Sequence, residues 1–223
     1  QTCLADGTAY GPCMGEITPA PENCATPANE DCLNLPDCGT GLWSRHFGDA
    51  SSQNGQGIAI DSAGNAIFVG FFGGTVDFGG GTLTSAGNND IYVAKLDGAG
   101  NHLWSKRFGN ATDQRGQAVA VDAAGNVYIA GWFSGSISFG GGTLTSAGSD
   151  DLFLVKLTSA GNHVWSKRFG AAGSERIVEL AVNAAGDIVL IGTFASTIDF
   201  GGGAMTTAGL EDIYLAKFDT AGT

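Results

Sequence analysis

Leu42-Trp43-Ser44-Arg45-His46-Phe47-Gly48, Leu103-Trp104-Ser105-Lys106-Arg107-Phe108-Gly109 and Val164-Trp165-Ser166-Lys167-Arg168-Phe169-Gly170 are one motif written three times, 61 residues apart. The interval holds elsewhere: Asp61, Asp122 and Asn183; Phe78, Phe139 and Phe200; Asp90, Asp151 and Asp212; Lys95, Lys156 and Lys217. Residues 42–102 and 103–163 agree at 34 of 61 positions without a gap. Each copy must therefore be the same supersecondary unit, stacked on its neighbours to share a core.

Four short apolar runs make up a unit. In the second copy they are 117–122 (QAVAVD), 127–133 (VYIAGWF), 151–157 (DLFLVKL) and 163–169 (HVWSKRF). All are of strand length, rich in β-branched and aromatic residues, and bounded by Gly, Asn, Asp or Ser. Gly64-Asn65, Gly125-Asn126 and Gly161-Asn162 fall between consecutive runs, where a hairpin needs a left-handed residue. Four antiparallel strands per repeat predict an all-β chain of propeller blades. Consecutive apolar residues in 152–155 imply a strand buried on both faces, and the small residues of QAVAVD suit a crowded innermost strand.

The unit exceeds the roughly 40–45 residues of a minimal blade. Its surplus lies between the second and third runs, at 74–89 and its counterparts, and reads as a hairpin projecting from each blade, where recognition usually resides. Strand counting gives a lone fourth-strand motif at 42–48, blades at 56–108 and 117–169, and a partial blade at 177–219 without its outer strand. Three blades cannot close a ring that needs about four to eight, so the propeller is incomplete. Further repeats of a parent chain or self-association would complete it.

Residues 1–41 differ in kind. They hold all five cysteines, all five prolines and six acidic residues with no Lys or Arg. This is the pattern of a small, acidic, irregular disulfide segment, with Cys3, Cys13, Cys24 and Cys32 as bridge candidates and Cys38 left over. The expected compartment is oxidising, extracellular or cell envelope, and no signal-peptide pattern precedes Cys3, so the chain reads as a processed piece of an exported protein. A net charge of −12 argues against nucleic acid as partner. No run approaches the roughly 20 apolar residues of a membrane span.

WSKRFG, AVAVDAAGNVYIAG, FSGSISFGGGTLTSAGSDD and LVKLTSAGN together resemble the bacterial surface repeat called SBBP, or seven-bladed β-propeller repeat, over residues 42–223. The resemblance implies a secreted or cell-envelope propeller and brings no catalytic residues. The first 41 residues are similar to Cys-rich segments beside such propellers. Their Glu-x-Cys and Glu-Asp-Cys elements resemble an acidic Cys-containing metal motif but lack its dense aspartates.

Repeated carboxylates could converge on Ca²⁺, which takes six to eight hard ligands, with Asp150, Asp151, Glu211 and Asp212 the best placed. The competing role, which we favour, is capping of turns by Asp. No other cofactor is implied. Trp43, Trp104 and Trp165 could stack on sugars, but equal spacing favours packing between blades. Lys95, Lys156 and Lys217 stand in apolar strands and should reach an acidic partner. His46, His102 and His163 read as surface-turn residues. The third copy departs at Glu179, Asn183 and Thr193, where the others have Gly57 and Ala118, Asp, and Phe71 and Trp132. Together these readings point to a non-enzymatic module that binds protein or glycan through its hairpins, with a propeller hydrolase or lyase and a Ca²⁺-stabilised structural repeat as alternatives.

Overall fold

The computed structural model describes residues 42–223; the candidate bridge cysteines Cys3, Cys13, Cys24 and Cys32 lie outside the described residues. The chain divides into Gln1–Ser44 and Arg45–Thr223, and the blades belong to the second unit.

Every regular element of the described residues is a strand. The first blade comprises β1 (Gln53–Ile60), β2 (Ala66–Phe72), β5 (Asp90–Leu96) and β6 (His102–Phe108), paired in the order β1-β2-β5-β6. In the second, β7 (Gln114–Val121), β8 (Val127–Phe133), β11 (Asp151–Leu157) and β12 (His163–Phe169) repeat that order. The third has three strands among the described residues, β13 (Glu175–Val182), β14 (Ile188–Phe194) and β17 (Asp212–Phe218), in the order β13-β14-β17. All pairings within the blades are antiparallel. The surplus segments form two-stranded hairpins: β3 (Thr75–Asp77) with β4 (Thr82–Thr84), β9 (Ser136–Ser138) with β10 (Thr143–Thr145), and β15 (Thr197–Ile198) with β16 (Met205–Thr206).

Two expected boundaries change. First strands begin at Gln53, Gln114 and Glu175, not at 56, 117 and 177, because a bulge at Gly55/Gly57, Gly116/Ala118 and Ile177/Glu179 absorbs one residue and lets the ladder continue upstream. Residues 42–48 form no strand. Their counterparts β6 and β12 pair with β5 and β11, and no described strand stands in that place before residue 42.

The cores straddle blades. One cluster joins Val69, Ile91 and Val93 of the first blade to Val119 and Ile129 of the second; another joins Ala130, Leu152 and Leu154 of the second to Leu180 of the third. Strand β7 lies against both β1 and β13, so the small-residue strands are the closest elements of successive blades. Gly57 shows how close: a Cβ there would meet the β7 backbone at 3.1 Å. Glycines also stand within strands, since a Cβ at Gly131 would strike the Arg115 carbonyl at 2.0 Å, whereas Gly64 and Gly125 take the positive φ of 78° and 80° that their turns demand.

Candidate functional site

The repeated carboxylates serve the blades. Asp61 accepts the Ala63 and Asn65 amides through Oδ1, while Oδ2 accepts the Asn65 side chain and pairs with Lys95 at 2.7 Å. Burial pushes the Asp61 carboxyl up, yet Lys95 and the Asn65 bonds outweigh it and hold the group well below the usual carboxylate range. Asp122 repeats the turn cap, 4.0 Å from Lys156. In the third blade the pair is exchanged. Asn183 Oδ1 accepts the Asp187 amide, and Asp187 supplies the carboxylate for Lys217 at 3.1 Å.

The tryptophans mark seams between blades. Trp104 Nε1 donates to the Ser159 carbonyl at 3.0 Å, in the turn between β11 and β12 of the next blade, and Trp165 Nε1 donates to Thr220 O at 3.3 Å. Both indoles are partly buried, and Trp43 is exposed. His102 and His163 lie under the glycine bends of their own hairpins, against Gly80 and Gly141.

Asp150 and Asp151 do not converge. Asp150 lies just before β11, in an isolated bridge to Ser174, and each carboxylate meets its own arginine: Asp150 pairs with Arg176 at 2.6 Å, and Asp151 accepts Arg168 together with the Ala147 amide. Asp212 caps the Ala208 amide at 2.9 Å, and Glu211 is exposed. No group of three or more His, Cys, Asp or Glu able to hold a metal ion occurs among the described residues.

What the structure gathers is a polar seam at the start of each first strand, around residues the sequence reading passed over. Arg115 lies over Phe71 of the preceding blade at 4.4 Å and over Trp132 of its own at 5.1 Å; Arg176 lies over Trp132 at 4.2 Å. The result is a ladder alternating aromatic ring and guanidinium across all three blades. Beside it sit Gln53, Gln114 and Glu175. Gln114 is fully buried and satisfied: Nε2 donates to Asn110 Oδ1 at 2.8 Å and Thr112 Oγ1 at 2.6 Å, and Oε1 accepts the Asn110 amide.

Glu175 takes the same position with no such support, since Ala171 and Gly173 replace Asn110 and Thr112. It is fully buried, and neither carboxyl oxygen meets a hydrogen-bond partner of good geometry. A Cβ at Gly170 would strike both Glu175 Oε2 and the Asp151 carboxyl, so the two acids crowd one space. Burial first, and Asp151 second, push Glu175 up to about 7 against the pull of the Ala171 amide, Arg168 and Arg176. Tyr214, driven above its ordinary range by burial and then by Glu175, lies close by with its hydroxyl unsatisfied. The 61-residue interval linking Gln53, Gln114 and Glu175 was the signal available in the sequence, two or three positions upstream of where the strands were expected to start.

The chain matches no protein-family model. It is 28% identical over 157 residues to an uncharacterized WD repeat-containing protein, L264, of Acanthamoeba polyphaga mimivirus, covering 61% of this chain and 11% of that protein. It is 24% identical over 169 residues to the regulatory protein FlaEY of Caulobacter vibrioides, covering 72% of this chain and 17% of the other. The chain thus spans a small part of the relatives it matches. The blades and the WD-repeat likeness agree on a repeat protein of propeller type.

Proposed function

We propose that the chain is a non-enzymatic β-propeller scaffold, exported to the cell surface or envelope, whose hairpins bind protein or glycan. The observation that carries this reading is the arrangement of hairpins. Each blade lifts an equivalent one from a rigid sheet, with exposed tips at residues 79–82, 140–143 and 201–206. The WD-repeat relative favours a binding scaffold, while the Cys-rich head and the resemblance to surface repeats favour export. Carboxylates that a hydrolase or lyase would use are engaged in turns and ion pairs. Glu175 has the raised pKa of a general acid, but it is fully buried, where a substrate cannot reach it. A Ca²⁺-stabilised repeat would need carboxylates converging as Asp150 and Asp151 do not.

The test replaces the glycine bends 79–81, 140–142 and 201–203 by Asn-Gly turns, which leaves the buried Phe78 and Phe139 and the partly buried Phe200 in place, and compares the trimmed protein with the parent on a glycan array and against purified envelope proteins. Binding by the parent that is lost on trimming, with unchanged circular dichroism, is the expected result. Binding that survives trimming would remove the hairpins from the function.

A further inference from the structure

The three hairpins rise from equivalent roots, but the linker before each blade ties them down differently. In the first blade Asp49 Oδ2 accepts both the amide and the hydroxyl of Thr75 at 2.7 Å, while Oδ1 accepts Gln53 Nε2 at 2.6 Å. In the second, Asn110 Nδ2 donates to Ser136 O at 2.5 Å, and Thr112 Oγ1 donates to Ser134 O at 2.6 Å. The third blade has Ala171 and Gly173 in those places, and neither has a polar side chain to offer. What holds the root there is a backbone bond, from the Ala195 amide to Ser174 O at 3.1 Å. That root is also strained. Ser196 stands where Gly74 and Gly135 take φ of 71° and 72°, and at 105° it is the one non-glycine residue of positive φ among the described residues.

Glu175 is aimed at this gap in the side-chain ties. Gln53, Gln114 and Glu175 lie alike against a glycine, for a Cβ at Gly48, Gly109 or Gly170 would strike Gln53 Oε1, Gln114 Oε1 or Glu175 Oε2. The other end atom of each glutamine, Nε2, donates to the residue four positions back, Asp49 or Asn110. Glu175 Oε1 therefore faces the place of that side chain, where Ala171 ends at Cβ, and it has no hydrogen-bond partner.

We propose that Glu175 is a proton-operated latch on the third hairpin: protonated, it stays buried beside Asp151; ionised, it swings into the place left by Ala171, where its carboxylate accepts the Thr197 amide and hydroxyl as Asp49 accepts those of Thr75. The reach is short. Gln53 Nε2 already touches one oxygen of the Asp49 carboxylate, and the other oxygen of that group holds Thr75. The place is also open to water, since Asn110, which fills it in the second blade, is partly exposed.

The charges around Glu175 supply the force. They are Asp151 on β11 with Asp150 just before it, Arg168 on β12 and Arg176 on β13, and the ionisable Tyr214 stands on β17. Arg168 is already paired with Asp151, and Arg176 with Asp150. An ionised Glu175 thus adds a buried charge without a partner, beside a second carboxylate, and such a charge is driven towards water and free donors. Leaving the seam relieves that repulsion and ties down the strained root at Ser196. Only the third blade combines a titratable residue at this position with an empty place in front of it.

The latch bears on binding only through the reading that the hairpins bind, so its test reads the hairpin itself and the two can fail separately. In nuclear magnetic resonance of the full chain, titrated from about pH 5.5 to 8.5, the Glu175 carboxyl carbon and the Thr197 amide proton should shift together with a midpoint of about 7. Protection of Thr197 from hydrogen exchange, taken relative to its intrinsic rate, should rise by roughly tenfold across that range, as one hydrogen bond to a charged group provides. Glu175→Gln keeps a neutral side chain in the seam, and both Thr197 effects should vanish. Ala171→Asp restores the carboxylate of the first blade, and Thr197 should then hold its high-pH shift and protection throughout. A Glu175 carboxyl that titrates while Thr197 stays still would overturn the proposal, because the charge would then remain in the seam. So would a Thr197 transition that persists in Glu175→Gln, or an Ala171→Asp variant whose Thr197 keeps its low-pH shift.

Discussion

The first two blades and the third are built on one register and one hairpin plan, yet they solve their polar problems differently. Where the first and second blades meet, Gln114 sits in a cage of Asn110 and Thr112, and Lys95 is sunk against Asp61, with side-chain exposures of 6% each. In the third blade Glu175 is buried without that cage, and the equivalent ion pair, Lys217 with Asp187, is 66% and 33% exposed. The difference teaches that a repeat conserves the backbone more strictly than the energetics of a position. Burial by the following blade, more than the residue itself, sets what each pair contributes.

The largest contrast should appear between those lysines. Lys95→Ala leaves the Asp61 carboxylate buried beside an empty space, and removal of one partner from a buried pair costs about 3–5 kcal/mol. Lys217→Ala breaks an exposed pair worth about 0–1 kcal/mol. Urea titration of both variants decides the matter. Equal losses would mean that burial between blades does not control these pairs, and the comparison of blades would fail.

Glu175 gives the next effect, and its sign depends on pH. The folded protein keeps the Glu175 proton up to about 7, whereas an unfolded glutamate releases it near 4.5. Between those values the folded state binds more protons than the unfolded one, so this group lowers stability as pH rises, by about 3 kcal/mol once the pH exceeds 7. Glu175→Gln removes that dependence. The variant should gain roughly 2–3 kcal/mol over the parent at pH 8 and little at pH 4.5, read from thermal melts across the range. A gain independent of pH would show that Glu175 is ionised throughout and that Arg168 and Arg176 outweigh burial.

Much of this architecture was legible from the sequence because strand patterning and turn chemistry are local. Runs 127–133, 151–157 and 163–169 coincide with β8, β11 and β12, and the hairpin at 74–89 appears as β3 and β4. Where pairing depends on distant partners the reading strayed. Segment 42–48 has strand composition but pairs with no strand among the described residues, and the bulge that carries β1 up to Gln53 is a property of two strands together. The candidate metal residues looked convergent because Asp150 and Asp151 adjoin in sequence, but Asp150, in its bridge to Ser174, meets Arg176, while Asp151 at the start of β11 meets Arg168. Glu175 escaped notice for a related reason: its significance comes from partners missing at residues 171 and 173, and from Asp151, which only the fold brings near.

Trp132 ranks below these in net effect. It fills the centre of the ladder, between Arg115 and Arg176. Replacing it with Leu removes the ring and part of the volume of a buried side chain, so the expected cost is about 2 kcal/mol, from cation–π loss at two sites and from lost packing. Thr193→Trp tests the same ladder in the third blade: Arg176 stands opposite Thr193 as Arg115 stands opposite Trp132, so the new ring meets one guanidinium where Trp132 meets two, and stability should rise by about 0.5–1 kcal/mol. No gain at residue 193 would show that the guanidinium opposite the ring contributes nothing.

The smallest effect is expected from exchanging Asn183 and Asp187. In the first two blades the turn begins with Asp and ends with Asn; in the third it begins with Asn183 and ends with Asp187, and the lysine finds its carboxylate at the far side of the same turn. If the carboxylate can occupy either corner, the double variant Asn183→Asp/Asp187→Asn should be within about 0.5 kcal/mol of the parent, because it restores the arrangement of the other blades. The single variants should each cost more. Asn183→Asp sets two carboxylates across one turn, and Asp187→Asn leaves Lys217 without its partner, though exposure limits either loss to about 1 kcal/mol. The double-mutant cycle therefore carries the information: a coupling energy near zero would mean that the exchange in the third blade is independent drift at two sites, and a favourable one would mean that the second change compensated the first.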